Sequence, residues 1–346
     1  MNDLYTPEGW LNFDYILDQG AWLNVIVGAR QIGKTYGALL TMLKYDLPHI
    51  LLRRTTEELE TIISTPDVSP YKVFEPDYKI GFFKSGKKIC TINDYTIEEN
   101  GKITEGKQRG IATSLAQIAH IRGFNGSPFT DLIFDEFIPE KGVICRQTEG
   151  DSFLNAYRTI NGNREITEDR PALRAWLLAN SNSINSPILD ALELTDIILF
   201  MRRKKLETFK TDDNTLIIQP RSERIIEKQK ETALMKRISS NSDFYQMAIN
   251  NEFAYDKSPY VKTMPINGMT PIWAYNDMMF CYERPDGYYI CRAKAKVKAR
   301  YNYEGTRTGR EQLYNDFAFI KPFYFFGDIA FADLRLLTLF KNIFNI

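Results

Sequence analysis

Histidine is nearly missing: His49 and His120 are the only two in 346 residues, too few for histidine-centred acid-base chemistry or a histidine metal site. The four cysteines, Cys90, Cys145, Cys281 and Cys291, have no C-x-x-C spacing. That argues against zinc and against a disulfide framework, and they read as reduced thiols of a cytosolic protein. An excess of one charge is missing too: 44 Lys and Arg face 44 Asp and Glu, so any nucleic-acid contact must come from local clusters. No clean apolar run reaches the ~18 residues a membrane span requires. The apolar tail from Phe317 to Ile346 is interrupted by Lys321, Asp328, Asp333, Arg335 and Lys341 and is expected to be buried core. Met1 to Tyr5 lacks a basic region followed by an apolar core, so no signal peptide is expected. With 44% hydrophobic and 25% charged residues, the chain is globular and long enough for about two domains.

What is present centres on Gly28-Ala29-Arg30-Gln31-Ile32-Gly33-Lys34-Thr35, between the apolar run Leu23 to Val27 and the helix-forming Tyr36 to Leu40. This is a G-x-x-x-x-G-K-[ST] loop in strand-to-helix context. Its glycines let successive N–H groups turn toward a polyphosphate, and the opening helix adds its positive end. Lys34 is expected to reach the β- and γ-phosphates, and Thr35 to ligate Mg²⁺.

A second anchor is Thr130-Asp131-Leu132-Ile133-Phe134-Asp135-Glu136, an apolar strand that delivers two acids at its carboxyl end. In a Walker B strand, Asp135 holds the Mg²⁺ shell and Glu136 orients the attacking water. Ala175 to Ala179 reads as a neighbouring strand, and Asn180 at its tip is either a γ-phosphate sensor or a turn cap. Strand His49 to Leu52 ends in Arg53-Arg54, which face the site or cap a solvated strand end. Trp10 to Asp18 suits a short helix that could pack beside a nucleotide base. Elsewhere the pattern predicts a helix over Glu57–Ile63, a hairpin turning at Ser85-Gly86 and a loop over 98–110. A strand and turn follow over Ile111–Ile121, and Thr195–Phe200 reads as a strand ending in Arg202-Arg203-Lys204-Lys205. Helices are expected over Arg224–Ile238 and from Ser242 to Phe253, and a hairpin at Asp286-Gly287. The resulting division is a P-loop domain at 1–218, a helical linker at 219–255 and a compact α+β domain at 256–346. In the last of these, Arg292, Lys294, Lys296, Lys298 and Arg300 alternate with small apolar residues. A strand would place all five cations on one face, either as a protected edge or as a docking surface for phosphate backbone or an acidic partner.

The loop GARQIGKT, the Arg122-Gly123 step, Ile133-Phe134-Asp135-Glu136-Phe137 and Leu178-Ala179-Asn180-Ser181 together resemble the genome-packaging ATPases of tailed phages. The layout is nearest to the DNA encapsidation proteins of Picovirinae-type phages, with large terminases and FtsK/HerA translocases more remote. The resemblance is specific over residues 20–205. It implies an α/β fold with a largely parallel ASCE-type sheet and an RNase H-like C-terminal domain. It also implies a homomeric, pentameric ring on the capsid portal in the host cytoplasm, transiently attached to the procapsid, moving double-stranded DNA with ATP and Mg²⁺. A structural packaging RNA is a further possible partner. By position, Arg122 resembles the basic residue that reaches the neighbouring subunit's nucleotide, and Arg158 and Arg164 compete for the finger that follows Walker B. The C-terminal acids Asp277, Asp286, Asp316, Asp328 and Asp333 show no close pairing on strands, so the nuclease-like domain is expected to be inactive. The rival readings are a packaging protein with a live nuclease, a cellular translocase, and a non-catalytic nucleotide-binding scaffold.

Overall fold

The computed structural model describes residues 3–84, 89–118, 124–140, 148–184, 186–239, 242–250, 260–262, 264–292 and 298–346. It divides into two units, Met1–Ala254 and Tyr255–Ile346, and the helices expected to form a separate linker belong to the first.

In the first unit, α1 (Phe13–Asp18) starts at Asn12, whose side chain accepts from the Tyr15 N–H at 3.3 Å. It leads into β1 (Leu23–Gly28), buried at every position. After the loop comes α2 (Lys34–Lys44). Gly37 lets this helix lie against α1, because a Cβ there would sit 2.3 Å from the Phe13 ring. Then follow β2 (His49–Arg53), buried throughout, and α3 (Thr56–Ser64), capped by Thr55, which accepts from the Glu58 N–H. The chain continues through β3 (Ile80–Lys84), β4 (Cys90–Ile97), β5 (Ile103–Ser114), α4 (Leu115–Ile118) and β6 (Asp131–Asp135). Next are α5 (Glu149–Asn161), α6 (Arg164–Thr167), β7 (Arg174–Asn180), α7 (Pro187–Ala191) and α8 (Thr195–Lys204). The unit closes with β8 (Thr208–Lys210), β9 (Thr215–Ile218), α9 (Glu223–Lys230), α10 (Ala233–Arg237) and α11 (Asp243–Asn250).

These strands form one nine-stranded sheet in the order β3-β4-β5-β2-β6-β7-β1-β9-β8. From β5 through β9 neighbouring strands are parallel, and β3, β4 and β8 pair antiparallel at the edges. One strand, β7, separates the loop strand β1 from the acid strand β6. A parallel sheet covered on both faces needs continuous apolar strands, which is why LNVIV, ILL, LIF and WLLA stood out in the sequence. All of them carry their candidate site residues at the same carboxyl edge.

Four sequence expectations are corrected here. Residues 103–110, expected in a loop, form the first half of β5 and pair with β4 out to Ile97 and Ile103. Residues 103–108 of this ribbon are exposed, so no apolar face marks it. Over Ile111–Ile121 the expected strand is the second half of β5, which stops at Ser114, but α4 (Leu115–Ile118) begins where a turn was expected, and residues 119–121 lie outside the described residues. Thr195–Phe200 is helical, with Thr195, Ile198 and Met201 buried at a spacing of three; six residues were too few to separate that period from a strand. Arg224–Ile238 is two helices, broken at Thr232, which has extended backbone. The turn at Ser85-Gly86 lies outside the described residues, although β3 and β4 pair on either side of it.

The second unit is built from β10 (Pro271–Tyr275), β11 (Met279–Arg284), β12 (Gly287–Cys291) and β13 (Tyr301–Tyr303). These are followed by α12 (Arg307–Phe317), α13 (Lys321–Phe326), β14 (Ile329–Phe331) and α14 (Leu334–Phe344). The sheet order is β13-β10-β11-β12-β14, an antiparallel meander with one parallel strand added on each side. Its core packs Trp273, Phe317, Phe331, Phe340 and Phe344 against that sheet. The apolar tail is thus largely core, while Phe319, Phe325 and Phe326 stay exposed. Among the described residues no helix is long and apolar enough to cross a membrane.

The expected five-cation strand is not found where it is described. Arg292 lies just past β12 and pairs with Asp333 at 3.0 Å. Lys298 and Arg300 precede β13, and Lys294 and Lys296 lie outside the described residues.

Candidate active site

The loop between β1 and α2 curls through two left-handed residues, Gln31 (φ 58°) and Gly33 (φ 86°). Glycine takes that backbone without a steric penalty, so Gly33 can serve directly as the N-cap of α2. Ala29 and Ile32 are buried and anchor the loop. The Arg30 side chain pairs with Glu140, and the Ser181 N–H donates to the Gly28 carbonyl at 3.1 Å, tying the loop to the end of β7.

Lys34 is only 8% exposed. Its Nζ donates to the carbonyls of Gly28 (3.2 Å) and Ala29 (2.6 Å) and to Asn180 Oδ1 (3.0 Å). Asn180, at the carboxyl end of β7, thus meets the loop lysine directly. Burial lowers the Lys34 pKa to about 7, with Asp135 opposing that shift. A buried ammonium with only dipoles as hydrogen-bond partners is short of a counter-ion, and a polyphosphate in the loop supplies one. The lysine therefore fits a nucleotide. Thr35 Oγ1 donates to Asp135 Oδ1 at 2.9 Å; this hydroxyl-carboxylate pair fits Mg²⁺, with oxygen ligands from α2 and β6.

Between Asp135, the last residue of β6, and Glu136, which follows it, stands Arg53, from the end of β2. Its Nη1 lies 3.2 Å from Asp135 Oδ2 and donates to Glu136 Oε2 at 3.3 Å. Glu136 follows the strand in left-handed backbone (φ 56°), with its side chain 52% exposed. Desolvation by the surrounding protein raises its pKa, Asp135 raises it further, and Arg53 acts against both. A cleft of about 70 Å³ adjoins it, lined by Glu58, Ile138, Pro139, Glu140, Asn180 and Asn182.

Sequence reasoning left Arg53 and Arg54 open together, and the structure separates them. Arg53 faces the acids, whereas Arg54 is buried between Glu58 (3.1 Å) and Glu149 (3.2 Å), joining α3 to α5. Arg164 is buried and donates to the carbonyls of Asn161 (3.1 Å), Phe129 (2.9 Å) and Gly126 (2.9 Å), so its guanidinium is engaged by backbone of the same chain. Arg158 is exposed on the last turn of α5. Arg122 lies outside the described residues.

In the second unit the acids are dispersed. Asp286 accepts from Arg284, Asp316 from the Tyr303 hydroxyl at 2.7 Å, and Asp333 caps α14 through the Leu336 N–H. Asp277 sits in the turn after β10, and the backbone carbonyl of Asp328 accepts from the Tyr288 N–H. No group of three or more His, Cys, Asp or Glu among the described residues is placed to hold a metal.

A phosphate loop on β1, acids at the end of β6 and one strand between them define the class: a P-loop ATPase with a mostly parallel sheet. Within that class the chain belongs to the Podovirus DNA encapsidation protein (Gp16) family, whose model matches residues 5–268. It is 23% identical over 264 residues to the DNA packaging protein of Bacillus phage phi29, covering 75% of this chain and 68% of that one. To the DNA packaging protein of Bacillus phage B103 it is 26% identical over 247 residues, covering 69% and 67%. Among solved structures, the Phi-28 gp11 DNA packaging motor has a similar fold, with TM-score 0.60, 17% identity and coverage of 100% of this chain and 99% of that one.

Proposed function

We propose that this chain is the Mg²⁺-dependent ATPase that drives double-stranded phage DNA into a preformed capsid, working as a homomeric ring on the portal. Support comes from family membership and, above all, from one observation: Lys34, Thr35, Arg53, Asp135, Glu136 and Asn180 converge at one edge of the sheet. Thr35 and Asp135 would hold Mg²⁺, which would supply positive charge against the phosphates. The loop N–H groups from Gly28 to Thr35 cradle the phosphates, and Lys34 turns from its carbonyl partners to the anion. Glu136 orients water for in-line attack, while Arg53 holds the carboxylate in place. Asn180 links Lys34 to β7 and is suited to register the terminal phosphate.

Arg122 and Arg158 are proposed to act in trans, each reaching a neighbouring subunit's nucleotide. Arg292, Lys298 and Arg300, with Lys294 and Lys296, are proposed to dock on the portal, on DNA or on a structural RNA. The second unit is proposed to be nuclease-derived and inert, in keeping with its scattered acids; DNA cleavage with Mn²⁺ by the purified chain would contradict this. The main test is ATP hydrolysis by the purified chain with and without double-stranded DNA. Turnover that DNA stimulates supports the motor; no turnover from folded protein in either condition overturns it.

A further inference from the structure

The run Arg202-Arg203-Lys204-Lys205, which none of the chemistry above uses, closes α8. Arg203, Lys204 and Lys205 are exposed and form no ion pair among the described residues. The helix dipole favours cations in a last turn, but it gives no reason for Phe200 and Leu206 to remain 37% and 38% exposed beside them. Lys205 also holds left-handed backbone (φ 55°), which glycine would take without strain and without charge. Three cations edged by two apolar side chains suit a protein surface better than a phosphate backbone, which has no use for Phe or Leu.

The same chain carries the complement. From Thr56 to Lys79 there are six acids and two lysines. Glu60, on α3, is exposed and has no ion-pair partner among the described residues. The Asp67 side chain is 85% exposed although Lys72 stands 3.4 Å away, and Val68 beside it is 55% exposed. Both helices meet the carboxyl edge of the nine-stranded sheet. The first residue of α3, Thr56, closely follows Arg53, the last of β2, and α8 ends shortly before Thr208, which opens β8 opposite Ile218, the last of β9. In the sheet order five strand spacings separate β2 from β8, roughly 24 Å, so the two patches do not meet within one chain. Complementary patches on opposite sides of one unit define a head-to-tail contact, and such a contact generates a ring when its rotation closes.

We propose that the end of α8 in one copy of this chain docks on the α3 face of the next, with Arg203, Lys204 and Lys205 against Glu60 and Asp67, and Phe200 and Leu206 against Val68. This rests on the homomeric-ring reading and adds to it the surfaces that build the ring. Because the phosphate loop lies at the same edge of the sheet, a copy docked in this way stands beside its neighbour's nucleotide site, where an arginine acting in trans has to be delivered.

Charge exchange tests the contact, read by sedimentation velocity of the full chain at low salt with Mg²⁺ and a slowly hydrolysed ATP analogue. Arg203→Glu, Lys204→Glu and Lys205→Glu together should weaken self-association at least about tenfold, and so should Glu60→Lys with Asp67→Lys. Nucleotide binding should stay within about twofold of wild type in both, since neither patch touches the phosphate loop. All five substitutions in one chain restore opposite charges across every head-to-tail contact and should recover association to within about threefold of wild type. Lys204→Glu combined with Glu60→Lys is the smaller exchange if the fivefold variant fails to fold. Association that survives both reversals in folded protein overturns the proposal, as does a loss that neither exchange recovers. Loss of double-stranded DNA binding by the α8 variant, with association intact, also overturns it and assigns the cations to nucleic acid. Folded wild-type protein that stays monomeric throughout would instead sink the ring reading itself, so the two failures are distinguishable.

Discussion

Arg158 and Arg164 competed for one role in the sequence, and replacing each in turn separates them. Arg164→Ala removes three charge-assisted hydrogen bonds at 2.9 to 3.1 Å and leaves the carbonyls of Phe129 and Gly126, on the segment leading into β6, without the guanidinium they face. Each such loss costs roughly 1–3 kcal/mol. Since the three share one side chain and part of the region can relax, a total of about 4 kcal/mol is expected. A unit of this size loses about 2–4 °C of melting temperature per kcal/mol, so Arg164→Ala should melt on the order of 10 °C below wild type. Arg158→Ala, at an exposed position on α5, should melt within about 2 °C of wild type. Turnover is expected to reverse the order of severity. With a trans cation lost, Arg158→Ala should hydrolyse ATP at least about a hundredfold more slowly, with nucleotide affinity nearly unchanged. Differential scanning fluorimetry and steady-state ATPase assays on the two variants are sufficient. An Arg164→Ala protein that melts like wild type yet has lost hydrolysis would refute the structural role and return Arg164 to the catalytic ring.

Glu136→Gln should retain nucleotide binding and lose hydrolysis by about a hundredfold or more, whereas Lys34→Ala should lose binding; titration with a fluorescent ATP analogue distinguishes them. If Arg122 acts in trans, mixed Glu136→Gln and Arg122→Ala subunits should hydrolyse more than either alone under conditions where mixed rings form. Stability should also fall in mild acid through His49. It is fully buried between the Leu47 carbonyl and the Tyr71 hydroxyl, and burial, with a smaller push from Arg109, lowers its pKa to about 4. The unfolded chain binds this proton near pH 6.5 and the folded one only near 4, so stability is present above pH 6.5 and lost as pH drops toward 4. The loss amounts to about 3 kcal/mol, and denaturation at pH 7 and pH 4.5 should show a smaller acid loss in His49→Gln than in wild type.

The strands that position the chemistry were legible because each is an apolar run buried on both faces that ends in residues an apolar strand has no other reason to hold: Gly28, Arg53, Asp135 and Asn180. The β4–β5 ribbon was not, since strand pairing by backbone hydrogen bonds leaves no trace in residues that face water on both sides. Nor was α8, whose apolar residues span less than two turns. Arg53 could be placed at a strand end but not aimed, because its direction depends on β6 lying beside β2. The stretch around Trp10 suggested a helix beside a nucleotide base, and only the fold brings Trp10 and Tyr36 to one cleft.

Glu136 holds a left-handed backbone that glutamate adopts at a cost of about 1–2 kcal/mol and glycine adopts freely. With Glu136 in its proposed role of orienting the attacking water, persistence and turnover are opposed at a single codon. Selecting this chain for heat resistance alone, by directed evolution or by choosing the best-expressing clone, should enrich Glu136→Gly, a protein that outlasts the wild type and moves nothing. A phage escapes that drift only because every generation must fill a capsid.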